Sequence, residues 1–187
     1  PAVSSDRWRF AEATGTRAVE MAKTGGPRPS ELLTKTALRN ASVILQATSG
    51  STNALVHLAA IAGRAGITYD LAELDRVGRE VPVLLDLKPA GMNFMEDFHA
   101  GGGLPALWRR LKDHLDLNAK TVNGETIGEI IARWPAYVDD KVIRPLDNPL
   151  VKSEAIAILT GNLAPGGAAI KLASATPELF QHEGPAL

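Results

Sequence analysis

The sequence predicts an α/β fold, and three observations carry that reading. Apolar residues recur at helical spacing in several windows, a branched apolar run at 81–87 stands between turn residues, and the two kinds of segment alternate. The hydrophobic share of 45% and charged share of 22% over 187 residues are globular values, enough for one substantial core or for one domain and part of a second.

The first helix is expected over 7–22, where Phe10, Ala13, Ala18 and Met21 recur at loosely helical spacing, and Gly25-Gly26-Pro27 stops it. Ser30 opens a further helical segment. Over 38–48 the run Val43-Ile44-Leu45 suits a buried helix or a buried strand, with helix preferred. Ser49-Gly50-Ser51-Thr52-Asn53 is a break leading into a helix over 54–65, which carries a stripe of Leu55, Leu58, Ala59 and Ala62 and ends at Gly66. Asp70, with Glu73 three positions on, has the spacing of a capping box for a short helix over 71–77. The run 81–87, bounded by Gly78 and Pro89-Ala90-Gly91, reads as a buried parallel strand. Pro82 stands at its start, where no ladder donor is lost.

Helices over 94–100 and 104–115 follow, separated by Gly101-Gly102-Gly103, with Pro105 suited to a first turn. Residues 121–126 read as a short strand entering a turn at Asn123-Gly124, and 127–134 return to helix. The character changes after Pro135. Residues 136–152 hold Pro145, Pro149 and the charged Asp139-Asp140-Lys141, have little periodicity, and read as a linker or wrapping segment. Short strands at 155–159 and 168–172 flank the turn-rich 161–167. The chain thus divides into 1–135, a linker at 136–152, and 153–187, too short to form a barrel or sandwich and read as a truncated second domain. A start at Pro1-Ala2-Val3 without methionine and an apolar finish at Gly184-Pro185-Ala186-Leu187 make both ends read as cuts.

Composition narrows the partners. Twenty basic against 21 acidic residues, a net charge of -1 and no basic block argue against nucleic acid and against an anionic membrane surface. No apolar run is long enough to span a bilayer and no signal-like start is seen, so the cytoplasm is the simplest address. The absence of cysteine leaves no disulfide and no thiolate for zinc or an iron–sulfur cluster.

Few residues suggest chemistry by pattern. His57, His99, His114 and His182 are scattered and lack the paired spacing of a helical metal site, which favours structural or surface roles. Glu96-Asp97 beside His99 fits capping and solvation better than catalysis, since adjacent carboxylates on a helix point apart. The break at 49–53 is better placed, because backbone amides at a helix start, with hydroxyls alongside, suit a carboxylate or phosphate. Ordinary N-capping is the competing role for those residues. Neither Gly101-Gly102-Gly103 nor the glycines of 161–167 have nucleotide-loop spacing.

The order of the segments adds a resemblance. Ser49-Gly50-Ser51-Thr52-Asn53 with the helix after it, Val81-Pro82-Val83-Leu84-Leu85-Asp86-Leu87-Lys88-Pro89-Ala90-Gly91, and Met95-Glu96-Asp97-Phe98-His99-Ala100-Gly101-Gly102-Gly103-Leu104-Pro105-Ala106 come first. Thr121-Val122-Asn123-Gly124-Glu125-Thr126 and Gly161-Asn162-Leu163-Ala164-Pro165-Gly166-Gly167 complete the series. Together they resemble the dihydroxy-acid and 6-phosphogluconate dehydratase family. Val142-Ile143-Arg144-Pro145-Leu146-Asp147-Asn148-Pro149-Leu150 and Ala175-Thr176-Pro177-Glu178-Leu179 look most like the members acting on aldonic acids such as arabinonate or xylonate.

The resemblance implies a hydro-lyase that converts a 2,3-dihydroxy sugar acid to a 2-keto-3-deoxy acid, with an iron–sulfur cluster and Mg2+ as cofactors. It also implies that 1–135 is the second half of a layered N-terminal α/β domain and 153–187 the first strands of a C-terminal β-barrel. In that family the cluster cysteines lie ahead of the region where this chain starts. The Mg2+-binding carboxylates, a modified lysine and the serine base also fall outside it. No catalytic residue, no metal ligand and no cofactor held by this chain alone is therefore expected, and the isolated chain is expected to be inactive. Gly50, Ser51, Thr52 and Asn53 are the candidates for a loop near substrate or cofactor. Ser49 stands where the family usually has glycine, which places the loop's backbone in question. The expected partners are a small sugar acid or dihydroxy acid and, to cover exposed apolar faces, further copies in a homo-oligomer. The alternatives are a dihydroxy-acid dehydratase of branched-chain amino-acid synthesis, a non-catalytic truncated interaction module, or an unrelated small-molecule binding domain.

Overall fold

A computed structural model describes residues 3–181 and 183–185, so His182 lies outside the described residues. Helices α1 (Ser5–Thr24), α2 (Pro29–Leu32), α3 (Lys35–Ala47), α4 (Asn53–Arg64) and α5 (Leu71–Glu80) occupy the first half. Helices α6 (Met95–Ala100), α7 (Gly103–Arg110) and α8 (Ile127–Arg133) follow. Strands β1 (Ile156–Leu159) and β2 (Ala168–Lys171) then pair antiparallel, Ile156 opposite Lys171 and Leu159 opposite Ala168.

Helix boundaries follow local capping. The Ser4 hydroxyl accepts from Asp6 N at 3.2 Å to open α1, and Gly25 closes it in the left-handed region. Thr34 caps α3 by accepting from Ala37 N at 3.1 Å. Asp70 caps α5 through Ala72 N at 2.9 Å, but the expected capping box is only half made. Glu73 turns outward to Arg76 on the same helix and to Arg39 of α3, 3.6 Å away, because two guanidinium partners outcompete a single backbone N–H. Helix α7 stops at Arg110, short of the expected 115, although Leu111 and Leu115 stay buried. The Asn123-Gly124 turn forms, with Gly124 at φ 86°, and carries a single bridge between Lys120 and Thr126.

The run 81–87 is extended and buried from Val81 to Asp86, yet it joins no parallel ladder. Val83 bridges Val151 and Leu85 bridges Ile143, both antiparallel, and the single parallel bridge is the local one from Leu87 to Asn93. Two causes are visible. The neighbour is the returning stretch 143–151, which runs the opposite way, and Ala47 O at the end of α3 accepts from Leu84 N and Leu85 N at 2.9 and 3.2 Å. Those donors are lost to a regular ladder.

Val43 and Ala47 of α3, Val77 of α5, Leu84, Leu107 of α7 and Ile143 meet in one fully or nearly fully buried core. A second cluster of Leu45, Leu55, Leu74 and Ile156 joins α3, α4, α5 and β1. Polar stitches hold the same junction. Gln46, fully buried, donates through Nε2 to Ile156 O at 2.8 Å and accepts at Oε1 from Ile156 N at 2.9 Å. Asp75 Oδ1 accepts from Ile158 N at 3.0 Å, and Glu154 N donates to Gly78 O at 2.7 Å. Farther along, Asp86, 4% exposed, accepts from Arg144 Nη2 at 2.8 Å and from Met92 N at 2.7 Å, which fixes the loop 88–93 against the returning segment.

Candidate functional site

The loop 49–53 is made by the way α3 ends. Ser49 takes φ 46°, Ser49 N donates to Gln46 O at 3.0 Å and Gly50 N donates to Leu45 O at 3.0 Å, the paired closing bonds of a Schellman motif. Serine therefore occupies the left-handed position that glycine fills at lowest cost. Its hydroxyl is buried and has no partner among the described residues. Ser49→Gly is accordingly expected to raise stability by about 1 kcal/mol, by relieving the backbone and removing an unsatisfied buried hydroxyl. Thermal melting of the two chains measures this, and a lower melting temperature for the glycine variant would show that the hydroxyl contributes.

After that turn the four candidates part ways. Gly50 is spent on closing α3. Ser51 Oγ accepts from Asn53 N at 3.2 Å and Ser51 O from Ala54 N at 3.0 Å, so Ser51 serves as the cap that opens α4. The side chains of Thr52 and Asn53 make no hydrogen bond among the described residues, and both line a groove of about 460 Å3. One wall of it is α4, through Leu55, Val56 and Ala59, and the other is the β hairpin, through Ile158, Gly167 and Ala169. Gly167, at φ 96°, keeps this wall low, since an added Cβ would press on Ile158 Cγ2 at 3.3 Å.

The loop offers two free polar side chains at one end of an otherwise apolar groove. A hydroxyl and an amide both donate and accept, so they suit the oxygens of a carboxylate or polyol, and they carry no charge to titrate. The acidic set expected to cap does so in part: Asp97 Oδ2 accepts from Phe94 N at 2.7 Å. His57 and His99 are exposed, and His114 is half-buried with its carbonyl accepting from Arg39 at 2.9 Å.

Sequence reasoning missed the hairpin wall of the groove and the buried Gln46 and Asp86. The latter two had a signal: each is a polar residue inside an apolar run, Val43 to Ala47 and Val81 to Leu87, where burial obliges it to find partners. The hairpin wall had none, because it faces α4 across more than a hundred residues of chain.

The comparisons with known proteins bear on the same two regions. A family model for dihydroxy-acid/6-phosphogluconate dehydratase N-terminal domains matches residues 1–130, and its C-terminal counterpart matches residues 141–187. L-arabonate dehydratase of Azospirillum brasilense is 46% identical over 190 residues, covering all of this chain and 32% of the relative. L-arabinonate dehydratase of Rhizobium leguminosarum bv. trifolii is 43% identical over 189 residues, again all of this chain and 32% of the relative. Dihydroxy-acid dehydratase of Methanospirillum hungatei is 41% identical over 186 residues, covering all of this chain and 34% of its own length. The chain spans about a third of the length of the curated relatives it matches. Among the described residues no helix is long and apolar enough to cross a membrane. With both halves of the family's pattern present in order, this chain belongs to the dihydroxy-acid/6-phosphogluconate dehydratase family.

Proposed function

We propose that the chain is one part of a hydro-lyase that removes water from a 2,3-dihydroxy sugar acid to give a 2-keto-3-deoxy acid. In this reading it contributes the second half of a layered N-terminal α/β domain and the opening strands of a C-terminal β-barrel, within a cytoplasmic homo-oligomer. The observation that carries the proposal is the polar end of the groove. Thr52 and Asn53, whose side chains have no hydrogen-bond partner among the described residues, belong to the region matched by the N-terminal family model and share the groove with the hairpin matched by the C-terminal one. A ligand there would meet both.

The reaction takes a proton from the carbon beside the carboxylate and expels a hydroxyl, so it needs a base and an electrophile for the departing oxygen. The family resemblance implies an iron–sulfur cluster and Mg2+, and the residues of this chain fit neither group. Thiolates hold such clusters, and this chain has no cysteine. Among the described residues, no three of His, Asp and Glu converge as a metal site would require. No step is therefore drawn through either cofactor. This chain's share is orientation, with the Thr52 hydroxyl and the Asn53 amide hydrogen-bonded to substrate oxygens.

A second reading, dehydration of a branched aliphatic dihydroxy acid, is favoured by the apolar lining of Leu55, Val56, Leu71 and Ile158. One experiment separates the two. Residues 1–187 replace the matching third of the Azospirillum brasilense L-arabonate dehydratase, and the chimera is assayed with L-arabonate and with 2,3-dihydroxyisovalerate. The chimera is expected to convert L-arabonate, Thr52→Val is expected to lower its kcat/KM about tenfold, and the 187-residue chain alone, supplied with iron, sulfide and Mg2+, is expected to convert neither substrate. Preference for dihydroxyisovalerate would select the second reading, and a Thr52→Val chimera with unchanged kinetics would remove the loop from the site.

A further inference from the structure

A cavity of about 510 Å3 lies between the N-terminal half of α3 and the segment leading into α5. It falls within the size range of small-molecule sites. Leu38 and Ile67 contribute apolar surface. Lys35 stands on one wall and Asp70 on the other, and among the described residues neither is paired with the opposite charge. One turn farther along each helix, Arg39 and Glu73 do pair across the same gap, with 3.6 Å between Nε and Oε1, which closes that end. Asp70 spends Oδ1 on capping α5, leaving its other oxygen uncommitted.

The hydroxyls add a direction. Ser42 Oγ, in a residue 2% exposed, lies 3.0 Å from Leu38 O and 2.8 Å from Tyr69 Oη. Since the carbonyl can only accept, the serine proton goes to Leu38 O and the tyrosine proton goes to Ser42. Tyr69 then offers the cavity an acceptor. The two walls differ in kind: a cation on the α3 side, and an anion with a neutral acceptor on the other.

We infer that this cavity binds a small zwitterion, an α-amino acid with an aliphatic side chain, its carboxylate toward Lys35 and its ammonium toward Asp70 and Tyr69. The aliphatic body would lie on Leu38 and Ile67. A simple acid would leave Asp70 and the Tyr69 oxygen unmatched, and a simple amine would leave Lys35 unmatched. The inference does not rest on the dehydratase reading, because the residues of 49–53 take no part in it.

The test is isothermal titration of the 187-residue chain with L-leucine, compared with 4-methylpentanoate, which lacks the ammonium, and 3-methylbutylamine, which lacks the carboxylate. Saturable L-leucine binding is expected, with each half-ligand at least about tenfold weaker. Lys35→Met and Asp70→Asn are each expected to weaken leucine about tenfold, and asparagine keeps the helix cap, so folding is preserved. Far-UV circular dichroism of both variants verifies that. Absence of saturable leucine binding would overturn the inference, as would equal affinity for leucine and 4-methylpentanoate, or an unchanged affinity in both variants.

Discussion

Gly78→Ala is expected to cost about 3 kcal/mol or more, a large share of the stability of a domain this size. A Cβ built there lies 2.6 Å from Gln46 Nε2, 3.1 Å from Gln46 Cδ and 3.2 Å from Ile156 O. A side-chain terminus can usually swing away, but this one is fully buried and tied at both of its polar atoms to Ile156. Moving it strands a buried N–H and C=O, each costing roughly 1–3 kcal/mol when left without a partner. Relief by shifting α5 would instead disturb Leu74 and Val77, both 1% exposed. The contrast is Gly63→Ala in α4, where an added Cβ meets nothing within 4 Å. That change is expected to stabilise by about 0.5–1 kcal/mol through helix propensity alone. Urea denaturation of both variants measures the pair, and similar midpoints would show that the Gln46 bracket is not tight.

The second large effect is expected at Asp86. Removing one partner of a buried ion pair costs about 3–5 kcal/mol, and because Arg144 retains 33% side-chain exposure the lower end applies to Asp86→Ala. The alanine also releases Met92 N, and with it the hold on loop 88–93. Burial pushes the Asp86 carboxyl up, but the hydrogen bonds from Arg144 and Met92 N, with the charge of Arg144, outweigh it and bring it below its ordinary value. A depressed carboxyl stabilises the fold fully above its unfolded pKa of about 3.9, and that contribution fades as pH falls through the lower folded value. The stability gap between the native chain and Asp86→Asn should therefore be widest near neutrality, hold down to about pH 5 and narrow below about pH 4. Denaturation midpoints at a series of pH values test the sign, and a gap that widened in acid would contradict it. The difference between the two chains is the right quantity because Asp75, whose carboxyl also lies below its ordinary value, titrates in the same window.

Most helices were legible because each is bounded by its own local chemistry. Asp70 caps, Gly25 terminates, and the apolar spacing of Leu55, Leu58 and Ala62 identifies α4. What failed was information carried by distant chain. The pattern of 81–87 states that the segment is buried and extended, but its direction relative to a neighbour is set by residues 143 and 151, which the local pattern does not encode. The same holds for the candidate site. Residues 49–53 read as a break before a helix, and Ser49, the departure from the family's usual glycine, is the residue that takes the left-handed position of the turn. Which of those residues cap and which stay free depends on individual hydrogen bonds that sequence spacing leaves open, and the wall opposite Thr52 comes from the hairpin.

The bracket between Gln46, Asp75 and β1 also gives the hairpin a polarity of growth. Ile156 N–H, Ile156 C=O and Ile158 N–H, which point away from β2, are all occupied by side chains of α3 and α5. A further strand finds no vacant ladder there, so neither a later part of the polypeptide nor a stray neighbouring molecule can add to the sheet on its helix-covered flank. Any extension must begin beyond β2, along Ala168–Lys171, and proceed outward from the helices.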